Sequence, residues 1–304
     1  ETELELSRQM LSFAETELFL EVDGRYRTYV ALDEPSVVWN LFAAPELSLE
    51  PRIWCYPFVG CAPYRGYFKR SAAERYQQKL EKAGYETYLG GVAAYSTLGW
   101  FDDPLLSSFI YWPQANLADL LFHELAHSRV WLRGDVAFNE AFASFVGRRG
   151  MEQWLRQRGH DAEYQDFLAG KRSRANLMLL LNATRTALQS IYRSDMADAE
   201  KRVSKTETLT AARACFSRDP ARYGGQRYAK IMSALNNALL VSIATYDDHV
   251  PAFAELFEQN DDSWPDFYRA VRELTELPEA ARLSLIHISE PTRPVGISRM
   301  PSSA

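Results

Sequence analysis

The spacing of hydrophobic and polar positions changes character along the chain. The elements that it predicts before residue 113 are helices at 7–20 and 70–83 and strands at 25–32 and 85–101, the last with a turn at Gly90-Gly91. From residue 113 onward, helical spacing dominates. Because strands concentrate in the first part and helices in the second, the sequence predicts an α+β fold.

The second part begins with two predicted helices, at 116–132 and 136–158. Asn116 is the predicted N-cap of the first, and an interruption of the second is expected at Gly147 to Gly150. A mostly helical region follows at 161–280, with breaks at Asp219-Pro220, Gly224-Gly225 and Pro251.

The domain organisation predicted from these patterns is simple. We interpret residues 1–282 as one unit, with a mixed α/β part at 1–112 and a mainly helical part at 113–282. Residues 283–304 break the amphipathic pattern and end in a stretch rich in Pro and Ser. We therefore expect 283–304 to be a non-native, disordered tail whose deletion leaves the melting temperature unchanged.

Composition and charge exclude two classes of partner. The 304 residues are 47% hydrophobic, which is enough for a sizeable core. The formal net charge is −6 and no basic stripe stands out, so a nucleic-acid partner has no electrostatic support. No apolar run approaches the roughly 18 to 20 residues that a membrane-spanning helix needs.

The most informative segment reads His123-Glu124-Leu125-Ala126-His127 within a strongly apolar helix. Two His at positions i and i+4 project from one helix face, so their imidazoles can share one zinc ion. Glu124 lies about 100° around the helix from His123, beside the metal and not ligating it. There it can act as the general base of a zinc hydrolase.

A third ligand is expected from the next helix. The Met-turn class of zinc proteases places a His six residues after the motif, where this chain has Arg133. Glu140 follows a short turn, and an antiparallel pair of helices would bring it back towards the His pair. The alternatives are a surface role for Glu140, and Asp135 as the ligand or as a residue that orients one of the His.

Three protein ligands leave one coordination position open, which favours catalysis. We therefore predict a zinc-dependent peptidase with a zincin-like fold, one zinc per chain and a peptide substrate. The alternative is a non-hydrolytic binding or scaffold protein with a structural zinc, which would need four protein ligands.

Longer strings of the sequence are similar to a bacterial family of predicted zinc aminopeptidases of the Glu-zincin kind. They are HELAH, FNEAFASFV, VVWNLFAAPELSL, WCYPFVGCAPYRGYF, AYSTLGWFDDPLL, LNNALL and TYDDHVPAF, spread over residues 20–280. The resemblance implies aminopeptidase activity, Glu140 as the third ligand, and an envelope lipoprotein on the periplasmic side, anchored upstream of residue 1. One departure is Ser144, because thermolysin-like enzymes have an acidic residue there that orients a His. Asp135 or Asp119 is expected to replace it.

Other parts of the site are less constrained by the sequence. Tyr228 is the first choice for stabilising the oxyanion, and the other candidates are Tyr246, His249 and His160. Residues 93–100 are placed to bind the substrate backbone as an added strand. Asp102 and Asp103 can hold a free amine or serve as turn residues. The sequence does not decide between an exopeptidase and an endopeptidase.

Cysteine is rare in this chain. Cys55 and Cys61 lie in a stretch containing Pro and Gly, where a disulfide could close a short loop, or both can be free thiols. A disulfide would imply an oxidising compartment, in agreement with the envelope location. Cys215 is expected to be a free, buried thiol.

Overall fold

The computed structural model describes residues 2–56, 60–93, 102–243, 250–278 and 282. The first part contains α1 (Glu3–Thr16), β1 (Tyr29–Val30), β2 (Val38–Pro45), β3 (Trp54–Tyr56), β4 (Gly60–Ala62), β5 (Arg65–Tyr67), α2 (Arg70–Lys82), β6 (Tyr85–Val92) and β7 (Leu105–Leu106). The second contains α3 (Gln114–Arg129), α4 (Val136–Gln157), α5 (Asp161–Arg193), α6 (Asp198–Arg218), a 3-10 helix (Pro220–Tyr223), α7 (Gln226–Ser233), α8 (Asn237–Ser242), α9 (Val250–Gln259) and α10 (Trp264–Thr275). This order confirms the α+β prediction.

Two glycine-based expectations were wrong, for one physical reason. Gly90 and Gly91 do not form a turn but pair with Asn40 and Trp39 inside the sheet, where a Cβ on Gly91 would press on neighbouring side chains. Helix α4 runs through Gly147 and Gly150 without interruption. These glycines are therefore sites of close approach and not chain breaks.

Of the strand predicted at 25–32, only Tyr29–Val30 is a strand, and other boundaries shift by a few residues. Helix α1 ends at Thr16, and its buried continuation at Leu18, Leu20 and Val22 packs into the core as irregular chain. Helix α3 begins after Pro113 and not after Asn116. The single-unit interpretation of 1–282 stays a prediction, and 283–304 lie outside the described residues.

A small antiparallel sheet has the order β5-β2-β6, with β2 at its centre. Strand β2 pairs with β6 along its whole length, from Val38 opposite Val92 to Pro45 opposite Tyr85. Strands β3 and β4 form a separate pair in which Cys55 lies opposite Cys61, and a disulfide joins them. This bridge confirms one of the two alternatives expected for these cysteines, and Cys215 is free and partly buried.

The main hydrophobic core surrounds the helices that carry the candidate site. Helices α1, α3, α4, α9 and α10 contribute buried side chains to it, among them Phe122, Phe142, Phe253, Phe267 and Tyr268. A second core lies between α5, α6, α7 and α8. None of the helices within the described residues has the length and hydropathy needed to cross a membrane.

A buried amide joins the small sheet to the helices. Asn237, at the start of α8, is fully buried, and its Nδ2 donates to the carbonyls of Pro45, Glu46 and Ser48 at 3.0, 2.9 and 3.1 Å. Its Oδ1 accepts a hydrogen bond of 2.8 Å from the hydroxyl of Tyr192. The amide therefore satisfies polar groups at the end of β2 and on helix α5 at the same time.

We expect Asn237→Ala to lower the free energy of unfolding by about 2 kcal/mol, because buried acceptors lose their donor. Chemical denaturation measures the effect, and Asn182→Ala on the exposed face of α5 is the matched control, expected within about 0.5 kcal/mol of the parent. Equal stability of the two variants would contradict the role given to Asn237.

Candidate metal centre

Helices α3 and α4, with the connection at 130–135, form a unit that we call the metal hairpin. Asn139 holds its turn closed: its Oδ1 accepts from the backbone N–H of Leu132 and its Nδ2 donates to the carbonyl of Leu132, both at 2.8 Å. Asp135 caps α4 by accepting from the N–H of Phe138 at 3.0 Å. The turn therefore returns α4 along α3, as the short connection predicted.

The metal hairpin brings His123, His127 and Glu140 together. One ligand atom from each lies within 4.8 Å of the other two. The carboxylate of Glu140 lies 3.5 Å from Nε2 of His123 and 3.6 Å from Nε2 of His127, and the two Nε2 atoms are 3.2 Å apart. The donor atoms of the three residues are therefore close enough together to hold one metal ion.

The donor set fits zinc. Two imidazole nitrogens and one carboxylate oxygen are the ligands of several catalytic zinc sites, in which the fourth position is left open. Nδ1 of His127 is buried and, within the described part of the chain, has no hydrogen-bond partner. A metal ion held at Nε2 would not supply a partner for Nδ1, so the close approach of the three donor atoms is the feature that fits a metal ion.

The electrostatics of the three residues also suit a cation. Burial and the neighbouring His123 lower the pKa of His127 to about 4, so this imidazole is neutral near pH 7. The hydrogen bond with His123 lowers the pKa of Glu140, which keeps the carboxylate ionised. Burial lowers the pKa of His123, but its hydrogen bond with Glu140 and the charges of Glu124, Glu140 and Asp119 outweigh burial, and the net direction is upward. The carboxylates of Glu140, Glu124 and Asp119 thus produce a negative potential around the position.

Glu124 and Asp119 flank His123 along α3. The charge of each raises the pKa of His123, which places both carboxylates within electrostatic reach of the imidazole. Asp119 also pairs with Lys171 of α5, with Nζ and Oδ2 3.2 Å apart. Of the two acidic residues expected to replace the missing acid at Ser144, Asp119 is thus the one beside a ligand.

Asp135 lies instead at the turn of the hairpin. One of its oxygens caps α4, and the other accepts from Arg282 at 2.9 Å. The first of these bonds makes Asp135 the N-cap of α4. The two bonds give no support to Asp135 as a zinc ligand or as the residue that orients a His.

Sequence reasoning missed two residues of this centre. A Cβ placed on Gly147 would lie 2.6 Å from the backbone oxygen of Asp119 and 3.1 Å from Cβ of His123, so Gly147 permits the close approach of α4 to α3 at the metal position. Asn139 fixes the turn that aims Glu140. For Asn139, the available signal was a polar residue next to Glu140 in a mostly apolar stretch. For Gly147, the sequence carried no signal of its role.

Of the predicted oxyanion-stabilising residues, Tyr228 and His160 lie in the described part of the chain. Tyr228 packs against Gly224 in the second core and under the guanidinium of Arg227, and makes no hydrogen bond or ring contact with the ligands in the described structure. His160 contacts Gln114 and Glu163. The role of Tyr228 in stabilising the oxyanion stays a prediction, and Tyr246 and His249 lie outside the described residues.

The substrate-binding candidates of the first part are also unassigned. Asp103 is buried, and its carbonyl accepts from the N–H of Tyr26 at 2.6 Å. The carboxylate of Asp102 lies against Gly24. These contacts place both residues beside the segment at 24–26, and their role in holding a free amine stays a prediction. Of the proposed edge strand at 93–100, residues 94–100 lie outside the described residues.

The comparison with protein families can now be set beside this geometry. A family model described as "Putative aminopeptidase" matches residues 1–286. The chain belongs to this aminopeptidase family. No curated protein and no solved structure matches the chain. The aminopeptidase family match includes the whole metal hairpin, and it agrees with the family resemblance of the longer sequence strings.

Proposed function

We propose that this aminopeptidase-family protein is a zinc-dependent peptidase that removes residues from the amino end of peptides. The observation that carries the proposal is the convergence of His123, His127 and Glu140 on one position. A metal ion at this position would explain why two imidazole Nε2 atoms and a carboxylate lie within 3.6 Å of one another.

The residues divide the chemistry between them. His123, His127 and Glu140 would hold the ion, and the chemistry that zinc supplies when bound is polarisation of a carbonyl and activation of water at neutral pH. Glu124 accepts the proton of the attacking water and returns it to the leaving amine. Its position one residue after His123 places it beside the ligands without adding a fourth.

The compartment is part of the proposal. The disulfide between Cys55 and Cys61 supports an oxidising location, because such bonds persist in the periplasm and outside the cell. We propose the bacterial cell envelope.

Glu124→Gln tests the proposal. We expect this variant to keep about one zinc per chain while its hydrolysis of an aminoacyl anilide falls by about 100- to 10,000-fold, because only proton transfer is lost. Zinc is measured by elemental analysis and hydrolysis by release of the anilide. Glu273→Gln on the exposed part of α10 is the control that should keep both.

Two outcomes would contradict the proposal. Full activity of Glu124→Gln would show that Glu124 is not the general base. Zinc-loaded parent protein that cleaves no peptide would favour the alternative of a structural zinc site. N-acetylation of the substrate gives the remaining test: an aminopeptidase needs the free amine, so cleavage of the blocked substrate at the same rate would indicate an endopeptidase.

A further inference from the structure

An exposed indole lies directly beside a proposed metal ligand. Trp131 follows the end of α3 and lies one helical turn beyond His127 in the sequence. Its ring centroid is 5.5 Å from that of His127, with the rings inclined by 73°, and 44% of the residue is exposed. The indole therefore packs against the imidazole, and a large part of the residue is left in water.

The backbone on both sides of Trp131 is fixed. Val130 is buried and extended. Leu132 is held by the two hydrogen bonds of 2.8 Å from the side chain of Asn139. A tryptophan with anchored neighbours and two side-chain torsions is a preorganised surface, which loses little entropy when a ligand packs on it.

The indole is apolar, whereas the neighbouring metal position is acidic. Glu124, Glu140 and Asp119 make the metal position acidic, whereas Trp131 offers an apolar face next to it. An amide held at the metal position would carry the side chains that flank it past the indole. An apolar side chain gains from such a contact, and an aromatic one gains further from ring packing.

We propose that Trp131 is a specificity-determining residue that packs on a substrate side chain flanking the scissile bond, and that the preferred substrates are peptides with an aromatic residue there. This inference rests on the proposed function. It adds the substrate class, which neither the family match nor the ligand geometry contains.

The experiment compares dipeptides that differ only in the flanking residue. Zinc-loaded parent protein is assayed with Ala-Ala, Phe-Ala and Ala-Phe, and we expect the better of the two Phe peptides to exceed Ala-Ala in kcat/KM. In Trp131→Ala that advantage should fall by about 10- to 100-fold, mainly through KM, because loss of a packing surface weakens binding of ground and transition states alike. Trp131→Phe should restore part of it.

The control is Trp112→Ala. Trp112 is also exposed but precedes the start of α3, at the opposite end of the helix, so its replacement should leave the preference unchanged. Zinc content is measured for each variant, because the indole also contacts a ligand. Loss of the preference with zinc retained supports the inference, whereas loss of zinc in Trp131→Ala that Trp131→Phe does not reverse would show a merely structural role.

The failures are distinguishable. A Phe preference that persists in zinc-loaded Trp131→Ala, or parent protein that hydrolyses the peptides without a Phe preference, overturns the inference and leaves the proposed function intact. Zinc-loaded parent protein that cleaves none of the three peptides overturns both.

Discussion

Glu140→Ala is expected to abolish zinc binding at micromolar metal and, with it, peptide hydrolysis. The carboxylate is the only anionic donor among the three converging atoms, and it lies within 3.6 Å of both Nε2 atoms. Its loss leaves two neutral imidazoles, which do not form a catalytic zinc site by themselves. We expect a loss of affinity greater than the roughly 10- to 100-fold that removing a residue which only orients a ligand produces.

Asp135→Ala is the control that separates the loss of a metal ligand from a disturbance of the hairpin turn. Asp135 caps α4 and pairs with Arg282, so its removal should cost about 1 kcal/mol of stability and affect zinc only through the hairpin turn. Competition with a chelating dye measures zinc affinity in both variants, and the anilide assay measures activity. Full zinc occupancy in Glu140→Ala together with its loss in Asp135→Ala would mean that the wrong ligand is assigned.

Gly147→Ala is expected to lower the free energy of unfolding by about 3 kcal/mol and to weaken zinc binding as well. The added Cβ would lie 2.6 Å from the backbone oxygen of Asp119, a group that cannot rotate away. Helix α4 must therefore move off α3, and it carries Glu140 with it. The expected signature is a coupled loss, seen in denaturation of the metal-free protein and in zinc affinity.

The chain provides a matched control for this substitution. Gly170 lies within α5, and a Cβ there would meet nothing within 4 Å. Gly170→Ala should therefore stabilise the protein by about 0.5 to 1 kcal/mol, because alanine is the better helix former. If Gly147→Ala matched it in stability and kept the parent zinc affinity, the close packing at Gly147 would not matter.

The His pair and Glu140 could be predicted because their geometry is local. Two positions four apart on a helix share a face whatever the rest of the chain does. Only a short turn separates that helix from Glu140, so an antiparallel return was the expected arrangement. The α+β order could also be predicted, since it depends on spacing along the chain and not on contacts between distant segments.

The errors concern contacts between distant segments. Gly90, Gly91, Gly147 and Gly150 carry the local signature of a turn or break, and only the neighbouring strand or helix decides that they allow close packing. The role of Tyr228 stays a prediction, and it likewise depends on how α7 packs relative to α3, which the spacing along the sequence does not determine. Asn139 was overlooked because its effect is to fix the conformation of a turn seven residues away.

All three proposed ligands fall within the eighteen residues from His123 to Glu140. A stretch this short has a small loop-closure entropy, so the denatured chain can still chelate an ion with the same side chains. Metal that binds both states raises the transition temperature by less than its affinity for the native protein implies. The same proximity means that the nascent chain can capture zinc before helices α5 to α8, which form the second core, have been synthesised, and the ion can then help the two helices of the metal hairpin to associate.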